Sequence, residues 1–150
     1  MAHSPSLAAG AVLFDLWICN ADRHSANLAF DSAQGRMMLF DHSHALFASA
    51  DIDSWLLAQT GTFNIGGHCL APHLTQASDF PMWSQRLASI PSYFIEGLVD
   101  DAVAVGLPTS KAQACKDFLL HRRGEVLQLV KANGPAFPNI PAAQWALIEE

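Results

Sequence analysis

With 150 residues, 51% of them apolar and only 15% charged, the chain has apolar mass for one domain and is too hydrophobic for a disordered one. A net charge of −6, with eight Lys and Arg residues that form no stripe, argues against a nucleic-acid-binding surface. So low a charged fraction also points to a surface partly covered by a further domain or a partner.

Ser4-Pro5 has the form of an N-cap followed by proline at the first helical position. The helix it opens is expected to run to about Ile18, apolar on nearly all sides through Leu7, Val12, Leu13, Phe14, Leu16 and Trp17, and so to lie in a core. The apolar run from Leu7 to Cys19 is too short to cross a membrane and is broken by Asp15. No positive charge precedes it, which argues against a signal peptide. Cys19, Cys69 and Cys115 are widely separated and form no CxxC pair, the pattern of reduced, mostly buried thiols in a cytoplasmic protein.

The helix delivers the chain into Asn20–Asn27, which is polar and suits neither helix nor strand. A short strand, Leu28-Ala29-Phe30, a turn through Asp31–Gly35 and a second strand, Arg36–Phe40, form a predicted hairpin, with Gly35 in the left-handed position. Between residues 45 and 80 the pattern predicts a short helix near Asp53–Gln59, then a glycine-containing loop around Gly61–Gly67. Asp51 and Asp53 fit a helix N-cap region.

From Pro81 the pattern is helical. A helix from Pro91 to about Val105 is expected to bury Phe94, Leu98, Ala102 and Val105, stopped by Gly106 and Pro108. Ser110 with Gln113 is a capping-box candidate for a helix lasting to Ala132, with Cys115, Phe118, Leu119, Val126, Leu129 and Val130 as its buried stripe. Arg122 and Arg123 are expected to pair with surface carboxylates. A terminal helix around Pro141–Ile148 would dock Trp145, and Trp17, Trp55 and Trp83 read as packing anchors. The expected fold class is α+β, mostly helical, as one domain over residues 1–150.

The chemistry concentrates at the two feet of the hairpin. Phosphoryl transfer asks for a carboxylate near the acceptor hydroxyl and for oxygen ligands that hold Mg²⁺ against the phosphates. Asp22 can take the hydroxyl proton. Asn27, five residues on, offers a neutral oxygen, and Asp41, just past the second strand, offers a carboxylate. The hairpin reverses the chain, so Asn27 and Asp41 can lie side by side.

The Asp-to-Asn spacing is that of the protein-kinase catalytic loop, although here it stands as N-x-D-x-H-x-x-N and the metal triplet is Asp41-His42-Ser43. The run FDLWICNADRHSANLAF, followed by LFDHSHALF, resembles the HipA-like kinase domain family of bacteria and, more distantly, the phosphatidylinositol kinases. That resemblance covers residues 12–47 closely and the helical remainder loosely; His121-Arg122-Arg123 is similar to a paired-arginine helix of the family. It implies a kinase-like C-terminal lobe with a catalytic loop, a hairpin and a helical bundle. It also implies Asp22 as base, Asn27 and Asp41 as metal ligands, and Asn20 and His24 as residues that organise the catalytic loop. ATP and Mg²⁺ would be the cofactors and a protein Ser/Thr hydroxyl the acceptor.

Other readings stand beside this one. Asn20–Asn27 can be a plain connector, since Asp, Asn and Ser are turn residues. His24, His42 and His44, with Asp41 or Asp22 as the oxygen ligand, invite a zinc reading, in which Asp41, His44 and His24 build a three-ligand hydrolase site, while His42 and His44 otherwise orient the metal loop or hydrogen-bond backbone. His68 and His73 around Cys69 read as loop histidines beside a buried thiol. Gly61–Gly67 lacks the Lys-Ser/Thr of a phosphate loop.

A kinase also needs a glycine-rich cover and a strand lysine, both normally ahead of the catalytic loop. No lysine precedes Asp22; the three are Lys111, Lys116 and Lys131. This leaves three explanations: the lower lobe of a kinase split over two polypeptides, a truncated product, or a pseudokinase module that binds rather than catalyses. The uncovered upper face would be apolar and would favour an N-lobe partner polypeptide or a homodimer.

Overall fold

The computed structural model describes residues 5–46, 53, 56, 59 and 63–148. The fold is α+β and dominated by helix, at 57%, with one two-stranded antiparallel hairpin among the described residues. Helix α1 spans Pro5–Trp17, and strands β1 (Leu28–Asp31) and β2 (Arg36–Leu39) form the hairpin. Then follow α2 (Phe80–Ala88), α3 (Ser92–Ala104), the long α4 (Thr109–Ala132) and the single-turn α5 (Ala142–Trp145). None of the described helices is long and apolar enough to cross a membrane.

Helix α4 is the hub, packing against α1, α2 and α3, while α1 also packs on α2. The expected stripe on α4 is buried throughout, from Cys115 to Val130. Helix α1 buries Ala9, Ala11, Val12, Leu13, Leu16 and Trp17, as its all-round apolar character requires. The Trp17 indole Nε1 donates to Leu119 O at 2.9 Å, fixing α1 on α4. Where α1 meets α2, Gly10 is a packing requirement: a Cβ there would lie 2.6 Å from Trp83, whose indole is held by Ser6 Oγ. Trp145 stacks on Phe80 at 5.8 Å and meets Phe137 at 5.3 Å, docking α5 as expected.

Several expectations change. Helix α3 buries Ile95 and Val99; Phe94, Leu98 and Val105 are exposed and Ala102 is half-buried. Helix α3 packs on α4, and the stripe it buries is turned about 100° from the expected one. Helix α4 starts at Thr109 after Pro108 with no side-chain cap, and Gln113 bonds Asp117 instead of closing a capping box. Arg122 is buried; it donates to Leu16 O and Gln59 O and sits over Phe118 and Phe63. Arg123 donates to Ile90 O and Ser92 Oγ. Asp53, Leu56 and Gln59 are helical, as expected, and Asp53 pairs with Lys111 at 2.8 Å. Ser4, Asp51, Trp55 and Gly61 lie outside the described residues.

Candidate active site

Helix α1 ends in a way that aims the next residues. Asn20 N–H reaches back to Asp15 O at 2.9 Å and Cys19 N–H to Leu16 O at 3.4 Å, a Schellman closure with Cys19 at φ +51°. Glycine normally takes that position, so a cysteine there holds local strain. Asp41 (φ +53°) and Leu46 (φ +58°) are the other non-glycine residues of positive φ among the described residues. All three border the same region, and strain of this kind gathers at functional sites.

Beneath the loop lies a buried polar cluster. The Asp15 and Arg23 side chains are fully enclosed, and Arg23 Nε and Nη2 donate to Asp15 Oδ2 and Oδ1 at 2.7 and 2.9 Å. Asn20 Nδ2 donates to Oδ1 at 3.0 Å, and His68 Nε2 stands 3.0 Å from Oδ2. His68 Nδ1 accepts the Leu70 N–H at 3.2 Å, which puts the imidazole proton on Nε2, donating to Asp15. The carboxylate thus accepts two bonds on each oxygen. Burial pushes the Asp15 carboxyl up, but the bonds from Arg23, His68 and Asn20 outweigh it and hold it below the usual range.

The other edge of Arg23 reaches the hairpin. Its Nη1 donates to Asn27 O at 2.7 Å and to Phe40 O at 2.8 Å. Phe40 N–H also donates to Asn27 O at 3.1 Å, so the two feet of the hairpin are joined beside one guanidinium. The strand register, Leu28 opposite Leu39 through Asp31 opposite Arg36, carries this alignment outward to the turn. There Asp31 Oδ1 accepts from Ala33 and Gln34, and Gly35 takes φ +62°.

Above the cluster stand the exposed groups. The Asp22 side chain is half exposed, and its Oδ2 lies 3.8 Å from His24 Nε2 and 3.9 Å from His44 Nε2. Asn27 is buried beneath them; its Nδ2 donates to Asp22 O at 2.9 Å, which leaves Oδ1 as the amide atom a cation would use. Asn20 Oδ1 accepts the Asp22 N–H at 3.3 Å. Asn20 is itself buried, so it shapes the loop rather than meeting a substrate. Asp41 is exposed, and its Oδ1 accepts both Ser43 Oγ–H at 2.7 Å and Ser43 N–H at 3.3 Å. Those bonds, with help from the nearby His44 and His24, hold the Asp41 carboxyl below its ordinary value. His42 packs edge-on against Phe14 at 5.8 Å.

Sequence reasoning singled out Asp22, Asn27 and Asp41; Asn27 Nδ2 donates to Asp22 O, and Asn27 O accepts from the N–H of Phe40, the residue before Asp41. It missed Asp15, the burial of Arg23, and His68, read as a loop histidine. A lone carboxylate inside an otherwise apolar helix was the available signal, because such a group needs a buried partner. His73 is exposed, whereas His68 is buried. Among the described residues, no three His, Cys, Asp or Glu side chains gather to hold a metal ion. His24 also fits a zinc ligand poorly: its Nδ1 accepts the Ala26 N–H at 3.2 Å, so its Nε2 carries the proton. An Mg²⁺ site needs less from the protein, one or two oxygens alongside water and phosphate, and Asn27 Oδ1 with Asp41 has that composition.

No family model, no curated protein and no solved structure matches the chain.

Proposed function

We propose that the chain carries the catalytic and metal-binding half of a HipA-like phosphotransferase, with Asp22 as the base for an acceptor hydroxyl. ATP is the phosphoryl donor and a protein Ser/Thr hydroxyl the acceptor; both come from the resemblance of residues 12–47. The observation that supports the reading best is Arg23, whose Nη1 bonds Asn27 O and Phe40 O together and so keeps Asn27 beside the strand end that leads to Asp41.

In this reading Asp22 accepts the hydroxyl proton as the oxygen attacks, and its half-exposed carboxylate is open to an incoming chain. His24 Nε2–H faces that carboxylate and orients it. Asn27 Oδ1 and Asp41 would hold Mg²⁺, which when bound neutralises phosphate charge. Ser43 keeps Asp41 ionised and turned to one side. The glycine-rich cover and strand lysine would come from a further lobe or a partner polypeptide.

Paramagnetic broadening by Mn²⁺ in the presence of ATP tests the metal assignment without requiring turnover. Broadening centred on Asn27 and Asp41, abolished in Asp41→Ala and kept in Asp22→Ala, is the expected result. Broadening centred elsewhere, or none at all, overturns it. A second reading is a pseudokinase or binding module. It predicts Mn-ATP binding with no phosphoryl transfer even when an upper lobe is supplied.

A further inference from the structure

The chain segment around His68 grips Arg23 twice from a distance in sequence. Its backbone does so through Cys69 N–H, which donates to Arg23 O at 2.9 Å. Its side chain does so through Asp15, since His68 Nε2 occupies one of the two bonds on Oδ2 while Arg23 Nε occupies the other. Every other donor to that carboxylate comes from residues 20–23, the catalytic loop itself.

We propose that His68 is a positioning residue for the Asn27/Asp41 face, acting through Asp15 and Arg23. The route is short and made of directional bonds. His68 and Asn20 fill the outer bonds of the Asp15 oxygens, so the carboxylate has one orientation. That orientation fixes the plane of the guanidinium through two parallel bonds. The plane in turn sets where Nη1 holds Asn27 O and Phe40 O, and the residue after Phe40 is Asp41. With the His68 bond removed, the carboxylate is free to tilt about its Asn20 and Arg23 bonds. The guanidinium tilts with it, and the two hairpin feet shift relative to each other. His68 is enclosed at 2% side-chain exposure, so it touches neither nucleotide nor acceptor.

What this position serves rests on the phosphotransferase reading, but the coupling itself does not, and the test separates them. His68→Leu removes the donor while keeping bulk; His68→Gln places an amide N–H near the lost Nε2. The first arm is the backbone amide spectrum without ligand. His68→Leu is expected to shift the Asn27, Asp41 and Ser43 amides, and His68→Gln to return them towards their original positions. Shifts confined to neighbours of His68, in a folded variant, overturn the proposal. If leucine prevents folding, His68→Asn, whose shorter amide cannot reach Oδ2, takes its place with the same outcomes. The second arm is Mn-ATP affinity, expected to fall about tenfold in His68→Leu and recover in His68→Gln, as for removal of a group behind a metal ligand. Equal weakening in both variants denies the specific bond its role and also overturns the proposal. If the unmodified chain binds no Mn-ATP, the phosphotransferase reading fails while the first arm still decides the coupling.

Discussion

Arg23 and Asp15 face each other through two parallel hydrogen bonds of 2.7 and 2.9 Å, with both side chains closed off from solvent. A buried pair of this geometry repays only part of its desolvation cost, yet losing one member strands the other. Arg23→Ala is therefore expected to destabilise the fold by about 3–5 kcal/mol, measured by urea unfolding. Asp15→Leu with Arg23→Met should recover only part of that loss, since it removes both charges but leaves the buried His68 and Asn20 donors without their acceptor. A double variant as unstable as Arg23→Ala would show that the cluster stabilises more than it costs.

The same carboxylate contributes to the acid limb of stability. Its value is lowered on folding, so its contribution is complete above the unfolded value of about 3.9 and is lost as pH falls through the folded value. Urea midpoints measured from pH 5 downward should fall more steeply for the unmodified chain than for Asp15→Asn. Parallel curves would locate the acid sensitivity elsewhere.

The three thiols should separate by reactivity. Burial pushes Cys19 up to about 11, and it raises Cys69 and Cys115 as well. Cys69 is the half-buried one, while Cys19 and Cys115 are enclosed. In a native-state labelling time course at pH 8, Cys69 is expected to react first, and the other two only on addition of denaturant. Early modification of Cys19 would mean that the end of α1 opens readily.

Helix α3 offers a direct check on which face it buries. Leu98→Lys, at an exposed position, is expected to change stability by no more than about 0.5 kcal/mol. Val99→Ala, at a buried one, should cost about 1–3 kcal/mol, read from thermal or urea unfolding. The reverse order would restore the face expected from the sequence.

Local chemistry written over a few residues was open to reading from sequence. Asp31–Gly35 is a turn because an Asp side chain and a left-handed glycine make one. Helix α1 is central because it is apolar all round, and the Cys115–Val130 stripe on α4 is buried because its spacing repeats with the helix. Failures came where two elements had to choose each other. On α3 the expectation put Phe94 and Leu98 inside, but the buried residues are Ile95 and Val99, one position along, because both faces offer apolar residues at helical spacing and the packing on α4 decides between them. Arg122 looked like a surface cation because its receptors are carbonyls of α1 and of residue 59, far away in sequence.

The candidate site divides along the same line. Asp22, Asn27 and Asp41 were legible because carboxylate, amide and hairpin stand in one stretch of twenty residues, where spacing alone limits what they can reach. That Asp15 orients Arg23, that Arg23 joins Asn27 to Phe40, and that His68 completes the carboxylate shell were decided by tertiary structure alone. Hydrogen bonds inside a core are fixed by packing that brings residues 53 positions apart within 3.0 Å. The sequence by itself determined which groups could do chemistry; burial decided which of them hold the others in place.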